Sequence, residues 1–420
     1  LTLVRNNVDS DVYLYDVSRK EKPVHVTPHQ GAAQHHVATF TPDSRTLVYL
    51  TDAHGEFTQA WTLDLETRAH APLEKADWDV QFVWFSEHGR YRITGINQEA
   101  RTVVKVVDTR TGEALRFPAL PAGDIGSVQF ARSEKRMAFR HEGDTSPGNL
   151  HVFELESGAH RQLTRTLNPA LEDVALVAAE DVRYPSFDGL QIPALLYRPR
   201  AAGKVPAVVW VHGGPGGQSR HGYHATLQHL LHHGYAVLAV NNRGSSGYGK
   251  TFFHLDDLRH GDVDLKDCVW GRKYLSSLDW VDGARVAIMG GSYGGYLTAA
   301  ALAFEPDAFE AGVDIFGVTN WVRTLESIPP YWAAMREYLY AELGDPAKER
   351  ERLQAISPLF HASRIKRPLL VIQGANDPRV LKVESDELVE AGGTKNTPRG
   401  DTVFYDQGSR FPPKKKPVPN

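Results

Sequence analysis

The most constraining feature of the sequence is a serine flanked by glycines at residues 290–295, which read Gly-Gly-Ser-Tyr-Gly-Gly. The apolar run Val-Ala-Ile-Met at 286–289 precedes it, and the helix-like run Tyr-Leu-Thr-Ala-Ala-Ala at 296–301 follows it. A strand that turns sharply into a helix while exposing a serine hydroxyl needs residues without side chains on both sides of that serine. The pattern is typical of a nucleophile elbow and predicts that Ser292 is a nucleophile.

Length and composition limit the classes of protein to which the chain can belong. A chain of 420 residues exceeds one ordinary core, so we expect two domains. With 41% hydrophobic residues, 23% charged residues and a net charge of -4, the composition is typical of a soluble globular protein and excludes a dedicated nucleic-acid binder. No apolar run approaches the roughly 20 residues that span a bilayer, and no signal peptide is evident, so we expect no membrane partner.

The cysteine content bears on the cellular location. The single cysteine, Cys268, cannot form an internal disulfide, which fits a reducing compartment and predicts a cytoplasmic protein. The chain begins with Leu1 instead of Met, and we expect that a segment is missing upstream. The sequence is compatible with a homo-oligomer but does not specify one.

The first part of the chain, residues 1–178, has short apolar or alternating segments separated by turn residues, which predicts β-strands. Phe40, Phe85 and Phe130 lie 45 residues apart, and each is followed by a polar turn and another strand. A period near 45 residues is the size of a four-stranded propeller blade. The three to four units are fewer than a closed propeller usually contains, so we expect part of a β-propeller; an ordinary β-sandwich is the alternative.

Residues 179–420 are expected to form a second domain, because apolar runs alternate there with helical segments. Buried parallel strands are predicted at 208–211, 236–240, 286–289 and 369–372. An apolar stripe predicts a helix before Trp280, carried by Leu265, Cys268, Val269, Leu275 and Leu278. Together with the elbow, this order predicts an α/β hydrolase domain with a doubly wound, mostly parallel sheet.

Two further motifs have the chemistry that the elbow requires. Residues 212–217 read His-Gly-Gly-Pro-Gly-Gly after the first predicted parallel strand, and glycines there allow backbone N–H groups to approach a substrate oxygen. The N–H of Tyr293, directly after the serine, would complete such an oxyanion hole. Asp377 follows the strand at 369–372 and so lies at the sheet edge that carries the elbow, where an orienting acid is expected.

Three other patterns have simpler explanations. Residues 244–251 match the phosphate-loop pattern, but no strand ending in a magnesium-binding aspartate accompanies them, and short glycine patterns match by chance. His229, His232 and His233, with His221 and His224 nearby, lack the acidic partner of a metalloprotease site, so we interpret them as a polar helix face and expect neither a metal nor a cofactor. The lysines at 414–416 lie among prolines and indicate a solvated tail.

The motifs occur in an order that resembles the prolyl oligopeptidase family of serine peptidases, in particular its acylaminoacyl peptidase branch. They are His-Gly-Gly-Pro at 212–215, Asn-Arg-Gly-Ser at 242–245, Gly-Ser-Tyr-Gly-Gly at 291–295 and Gln-Gly-Ala-Asn-Asp-Pro-Arg at 373–379. The resemblance is strongest over residues 183–390, and the repeats before them suit that family's propeller. It implies hydrolysis of short peptides, with Ser292 as nucleophile, Asp377 as acid, Gly214 and Tyr293 as oxyanion donors and Arg379 as a ligand for a substrate carbonyl.

The sequence departs from the family at the catalytic base. The family follows a strand with Gly-His-Gly-Phe, whereas here Gly-Ser-Arg-Phe stands at 408–411, so Ser409 occupies the position of the histidine. The last histidine of the sequence is His361, upstream of Asp377. Loss of a triad member commonly lowers the rate about 10⁴-fold or more, so we expect an impaired peptidase and attribute the departure to altered coding or truncation.

Other functions stay open at this point. A non-catalytic binding protein could retain both folds as interaction surfaces, and a carboxylesterase could use the same elbow and oxyanion hole for another acyl group. His212 or a tail lysine is the alternative base.

Overall fold

The computed structural model describes residues 1–6, 8–392 and 399–404. Four small antiparallel sheets are followed by one large mixed sheet with helices on both faces. The predicted Gly-Ser-Arg-Phe loop and Ser409 lie outside the described residues.

Each small sheet is built from strands that are consecutive in the chain. The first contains β1 (Thr2–Asn6), β2 (Asp9–Leu14) and β3 (Val24–His25). The second contains β4 (His35–Phe40), β5 (Thr46–Thr51), β6 (Gln59–Asp64) and β7 (His70–Glu74). The third contains β8 (Asp79–Phe85), β9 (Tyr91–Gln98) and β10 (Arg101–Asp108). The fourth contains β11 (Asp124–Phe130), β12 (Arg136–Gly143), β13 (Ser146–Glu154) and β14 (His160–Gln162).

The 45-residue period of the sequence is a repeat of these sheets. Phe40, Phe85 and Phe130 each end the first strand of a sheet. A second repeated position is an acidic residue whose backbone carbonyl accepts the N–H of the residue four positions later. That later residue has a positive φ in each case. The pairs are Asp16 with Lys20, Asp64 with Arg68, Asp108 with Gly112 and Glu154 with Gly158. The predicted repeat is therefore confirmed, and its first unit is visible only through the acidic turn.

Successive sheets pack face to face. Alternate residues of β5 point to opposite faces, so Leu47 and Tyr49 join an apolar cluster with the first sheet, whereas Val48 and Leu50 join one with the third sheet. A further cluster, which includes Ile93 and Phe139, lies between the third and fourth sheets. This is the packing of propeller blades, but the sheets of the described residues form no closed propeller.

The large sheet has eight strands in the order β15-β16-β18-β17-β19-β20-β21-β22. Its strands are β15 (Glu180–Pro185), β16 (Gln191–Tyr197), β17 (Val205–Val211), β18 (Ala236–Val240), β19 (Val281–Gly291), β20 (Gly312–Ile315), β21 (Leu369–Gly374) and β22 (Arg399–Phe404). The pairs β15–β16 and β16–β18 are antiparallel, and all others are parallel. The four predicted strands are confirmed, and the sheet is mostly parallel as expected.

Helices cover both faces of this sheet. They are α1 (Ala225–His232), α2 (Lys250–Phe253), α3 (Val263–Ser277), α4 (Tyr293–Phe304), α5 (Trp321–Glu326), α6 (Ala333–Leu343), α7 (Arg350–Ala355) and α8 (Lys382–Gly392). Strand β18 shows the two-sided burial, because Val237 packs with Leu231 of α1 while Leu238 joins the core that contains Cys268 of α3. None of the described helices combines the length and apolar character needed to cross a bilayer.

Candidate active site

Ser292 occupies the sharp turn between β19 and α4. Its φ of 57° and ψ of -116° lie outside the ordinary regions for a residue with a side chain. The backbone is held there by two hydrogen bonds, from Ser292 N to Ile315 O at 2.9 Å and from Tyr296 N to Ser292 O at 2.9 Å. The turn lifts the serine at the carboxyl edge of the sheet, where α/β folds bind their ligands.

The glycines around the serine are required by close packing. A Cβ on Gly294 would lie 2.2 Å from Val211 O, and one on Gly290 would lie 2.6 Å from backbone atoms of Gly294. Helix α4 can therefore approach β17 only because these positions carry no side chain. The predicted elbow geometry is present.

The glycine-rich loop after β17 lies against this elbow. A Cβ on Gly213 would be 3.2 Å from Gly291 O and 3.6 Å from the Ser292 Cβ. Gly214 adopts a φ of 156°, and a Cβ there would collide with the N atoms of Gly216 and Gly217 at 2.7 and 2.8 Å. The loop thus packs against the serine turn, and the role of the Gly214 N–H as an oxyanion donor stays a prediction.

His212 is fixed within this loop and is not aimed at the serine. Its Nδ1 is 2.8 Å from Gly213 O, and its Nε2 is 2.8 Å from Ser245 Oγ. Burial lowers the pKa of the imidazole, and Nδ1–H donates to the carbonyl. Nε2 contacts the Ser245 hydroxyl, which itself donates to Asn242 O at 2.6 Å. Both ring nitrogens are thereby engaged, which argues against His212 as the substitute base.

Tyr293 has a second role besides its backbone N–H. Its hydroxyl donates to Asp264 Oδ2 at 2.5 Å and lies 2.5 Å from His260 Nδ1. Burial lowers the pKa of His260 to about 3, so the ring is neutral and its Nδ1–H can donate to the tyrosine oxygen. Sequence reasoning missed both partners, which are 29 and 33 residues from Tyr293 and belong to no motif.

Asp377 lies three residues after β21, at the same carboxyl edge as Ser292. Its Oδ1 accepts the N–H groups of Arg379 at 2.9 Å and Val380 at 3.1 Å. Its Oδ2 is buried and has no hydrogen-bond partner among the described residues. The carboxylate is held in place, and one oxygen is free to orient a donor.

Arg379 is exposed and lies over an aromatic ring. Its guanidinium carbon is 4.5 Å from the centroid of Trp332, in the short 3₁₀ turn Pro330–Trp332 that precedes α6. A cation held flat on a ring keeps its edge donors available.

The described residues do not bring a general base to the serine. Over 1–6, 8–392 and 399–404, no histidine lies within hydrogen-bond distance of either Ser292 Oγ or the Asp377 carboxylate. Ser409 and the tail lysines, which the sequence analysis considered at this position, lie outside those residues.

The Asn-Arg-Gly-Ser motif has a structural role in this fold. Arg243 binds Asp267 through Nε and Nη2, both at 2.9 Å, and binds Asp188 at 2.9 and 3.1 Å. Burial opposes the charged guanidinium, but the hydrogen bonds to Asp267 and Asp188 outweigh it and raise the pKa. The arginine fastens the loop after β18 to α3 and to the turn after β15.

The phosphate-loop pattern at 244–251 holds a carboxylate of the chain itself. Glu56, between β5 and β6, accepts the Thr251 N–H at 2.6 Å and the Thr251 hydroxyl at 2.9 Å. Lys250 Nζ donates to Asp52 O at 2.9 Å. The groups that would bind phosphate therefore join the second small sheet to the large sheet.

The histidines of α1 also have a simple explanation. His233 Nδ1 is 2.9 Å from His229 O, and no acidic ligand joins these rings in the described structure. His221, by contrast, bridges Asp144 at 3.0 Å and Asp181 at 2.7 Å. Burial opposes its charged form, but these two hydrogen bonds outweigh burial and raise its pKa.

Comparison with known proteins gives matches over most of the chain. The profile described as prolyl oligopeptidase family matches residues 222–402, and the one described as acetyl xylan esterase matches residues 150–261. Dipeptidyl aminopeptidase BIII of Pseudoxanthomonas mexicana is 36% identical over 88% of this chain and 56% of its own length. The acylamino-acid-releasing enzyme of Homo sapiens is 30% identical over 72% of this chain and 43% of its own.

Among solved structures, the puromycin-hydrolyzing peptidase of Mycobacterium tuberculosis superposes with a TM-score of 0.84 over 96% of this chain and 62% of that one, at 23% identity. The likeness shows a shared fold. The chain spans about half the length of the curated relatives that it matches.

Proposed function

Since the chain belongs to the prolyl oligopeptidase family of serine peptidases, we propose that its site is built to hydrolyse short peptides or acyl-peptides through an acyl-enzyme on Ser292. The observation that carries the proposal is the Ser292 backbone at φ 57°, with Gly213 packed against it. This geometry supports the proposal because acyl transfer requires a serine hydroxyl on a strained turn beside a glycine-rich loop that can supply N–H donors.

Each site residue has a role in this proposal. Ser292 Oγ attacks the acyl carbon, and the N–H groups of Gly214 and Tyr293 stabilise the oxyanion that forms. Asp377 orients a base through its free Oδ2. Arg379 binds a carbonyl of the substrate. Dipeptide release and release of an acylated residue, the activities named for the relatives, are the two candidate specificities.

We further propose that the chain of 420 residues is a poor catalyst. Its sequence has no histidine after His361, so no histidine follows the acid. Without a base, the Ser292 hydroxyl keeps its proton near neutral pH, and the acylation step slows by about 10⁴-fold or more.

A fluorophosphonate probe tests the nucleophile and its activation together. We expect slow labelling of the purified chain that disappears in Ser292→Ala and persists in the matched control Ser246→Ala, a serine of the neighbouring loop. Labelling that survives Ser292→Ala would contradict the assignment of the nucleophile.

Turnover of acyl-peptide and aminoacyl chromogenic substrates tests the impairment. We expect rates far below roughly 1 s⁻¹, the lower range of ordinary enzymes. A rate at or above that value would show that another base acts. Ser409→His with Arg410→Gly should raise the rate, but by less than a complete family C-terminus, because a histidine is useful only if its ring is held in place.

An esterase is the second candidate, favoured by the acetyl xylan esterase match. That match ends at residue 261, before the elbow, so it supports the shared scaffold more than the reaction. Comparing matched ester and peptide substrates decides between the two, since an esterase would leave the peptide uncleaved. A binding protein without catalysis would show no Ser292 labelling at all.

The remaining expectations belong to the same proposal. Residues 1–178 would be part of a propeller that restricts access to the site, and 179–420 the hydrolase domain. Cytoplasmic location and assembly into homo-oligomers are testable by fractionation and by light scattering.

A further inference from the structure

A group of metal-ligating side chains lies far along the chain from the hydrolase site, where the first two small sheets meet. Asp11 is in β2, His29 follows β3 and His35 begins β4. Each offers one ligand atom, and these atoms all lie within 4.8 Å of one another. We propose that Asp11, His29 and His35 bind one divalent transition-metal ion of the Zn²⁺ type.

The surroundings of His29 favour a cation between its ring and Asp11. Nε2 lies 3.1 Å from Asp9 Oδ1, so Nε2–H donates to that carboxylate. Nδ1 then faces two further acceptors, Thr27 O at 3.1 Å and Asp11 Oδ1 at 3.2 Å. Three lone-pair atoms can converge in this way only around a proton or a metal ion. A carboxylate that holds the far nitrogen of a histidine is the usual support of a metal ligand.

In His35, one ring nitrogen is held by the backbone and the other is left for a metal ion. Its Nδ1 lies 3.0 Å from Ser10 O, which fixes the Nδ1–H tautomer and leaves the Nε2 lone pair for a ligand.

Asp11 would offer Oδ1 to the ion, and this oxygen also accepts the Thr27 hydroxyl at 3.4 Å. Arg5 pairs with Oδ2, and His25 Nε2 lies 2.6 Å from Oδ1. Oδ1 is also the atom that faces His29 at 3.2 Å, close to the separation of two ligands on a tetrahedral ion with bonds of about 2.0–2.1 Å. Two imidazoles and one carboxylate are a ligand set that suits Zn²⁺, Co²⁺ and Ni²⁺ better than Ca²⁺ or Mg²⁺.

A cavity of about 370 Å³ gives access to the group. His29 and His35 line it, together with His54, His70 and Tyr49. The cavity supplies both an entry path and space for a water as fourth ligand. Because its three ligands come from two sheets, the ion would hold the first sheet on the second.

The experiment uses the full chain without an affinity tag, treated with a chelator and titrated with Zn²⁺ and Co²⁺. We expect one ion per chain, a visible Co²⁺ spectrum of tetrahedral type, and a melting temperature about 3 °C higher at 100-fold excess over Kd. His29→Gln and His35→Gln should each weaken binding at least about 10-fold.

His36→Gln is the matched control. His36 is the next residue of the same strand and points to the opposite face, so its affinity should match the unchanged chain within about 2-fold. Circular dichroism checks that the variants fold. If His35→Gln does not fold, the variant of the more accessible His29 still tests the proposal. The proposal is overturned if the unchanged chain binds no ion at micromolar Zn²⁺, or if binding is lost with His229→Gln and kept in His29→Gln, which would place the ion on α1.

Discussion

The Tyr293 hydroxyl donates a 2.5 Å hydrogen bond to the buried carboxylate of Asp264. The bond ties the first residue of α4 to the first turn of α3. The backbone N–H of the same tyrosine is the proposed oxyanion donor, so the position of that donor is fixed through its own side chain.

Tyr293→Phe should lower the free energy of unfolding by about 1–3 kcal/mol, because it leaves Asp264 and His260 without their buried partner. Tyr296→Phe is the matched control, since among the described residues its equally buried hydroxyl bonds neither a carboxylate nor a histidine. Denaturant unfolding of the two variants measures the difference. Equal losses would contradict a specific role for the Tyr293 hydroxyl.

Glu342 should make the protein less stable as the pH rises. Burial raises the pKa of its carboxyl to about 8, from an ordinary value of 4.5, and the charge of Asp257 adds to the effect. Below pH 4.5 both folded and unfolded states hold the proton. Between 4.5 and 8 only the folded state holds it, so stability falls with pH by at most about 1.4 kcal/mol per unit.

Glu342→Gln should therefore flatten the pH dependence of the free energy of unfolding. Between pH 5 and pH 8, the stability of the variant relative to the unchanged chain should increase with pH. Glu337→Gln on the same helix is the control, because that side chain is 60% exposed. Parallel stability curves for the chain and Glu342→Gln would show that this carboxyl does not retain its proton.

Gly294→Ala should destabilise the protein by more than about 2 kcal/mol, since its Cβ would lie 2.2 Å from Val211 O and backbone would have to move. Gly291→Ala should cost less than about 1 kcal/mol, because its Cβ would first meet a Phe316 side chain at 3.4 Å. Thermal unfolding compares the two. If both alanines are tolerated alike, close packing is not the reason for the glycine at 294.

The isolated segment of residues 1–178 should be unstable and associate. The first and last small sheets each have one face without a neighbouring sheet, and Leu3 in β1 is 50% exposed. Limited proteolysis of the full chain followed by mass spectrometry should leave the hydrolase part as the resistant fragment. A resistant, monomeric N-terminal fragment that melts cooperatively would mean that this half is a complete domain.

Sequence patterns revealed the parts of this fold that depend on local rules. The elbow at Ser292 and the four predicted parallel strands are each encoded within a few residues, and the repeat marked by Phe40 recurs at a fixed spacing of 45 residues. Strand β16 was not predicted, because Pro193 interrupts its apolar run, and proline argues against an interior strand.

Contacts between distant residues could not be read in the same way. The pairing of Asp264 with Tyr293, and the meeting of Asp11 with His35, depend on how separate elements pack. No spacing in the chain encodes either one. The turn at Ser292 was thus predictable from the sequence, whereas the contacts that support it from neighbouring elements were not.

The carboxylate of Glu56 occupies a turn whose sequence would suit a dissolved anion. Because Glu56 belongs to the same polypeptide as the turn, its effective concentration does not fall when the protein is diluted. Phosphate in solution would have to compete with that constant effective concentration. Glu56 therefore occupies the turn only while the second small sheet packs against the large sheet. A sequence that matches a nucleotide-binding loop here binds a carboxylate from the N-terminal part of the same chain.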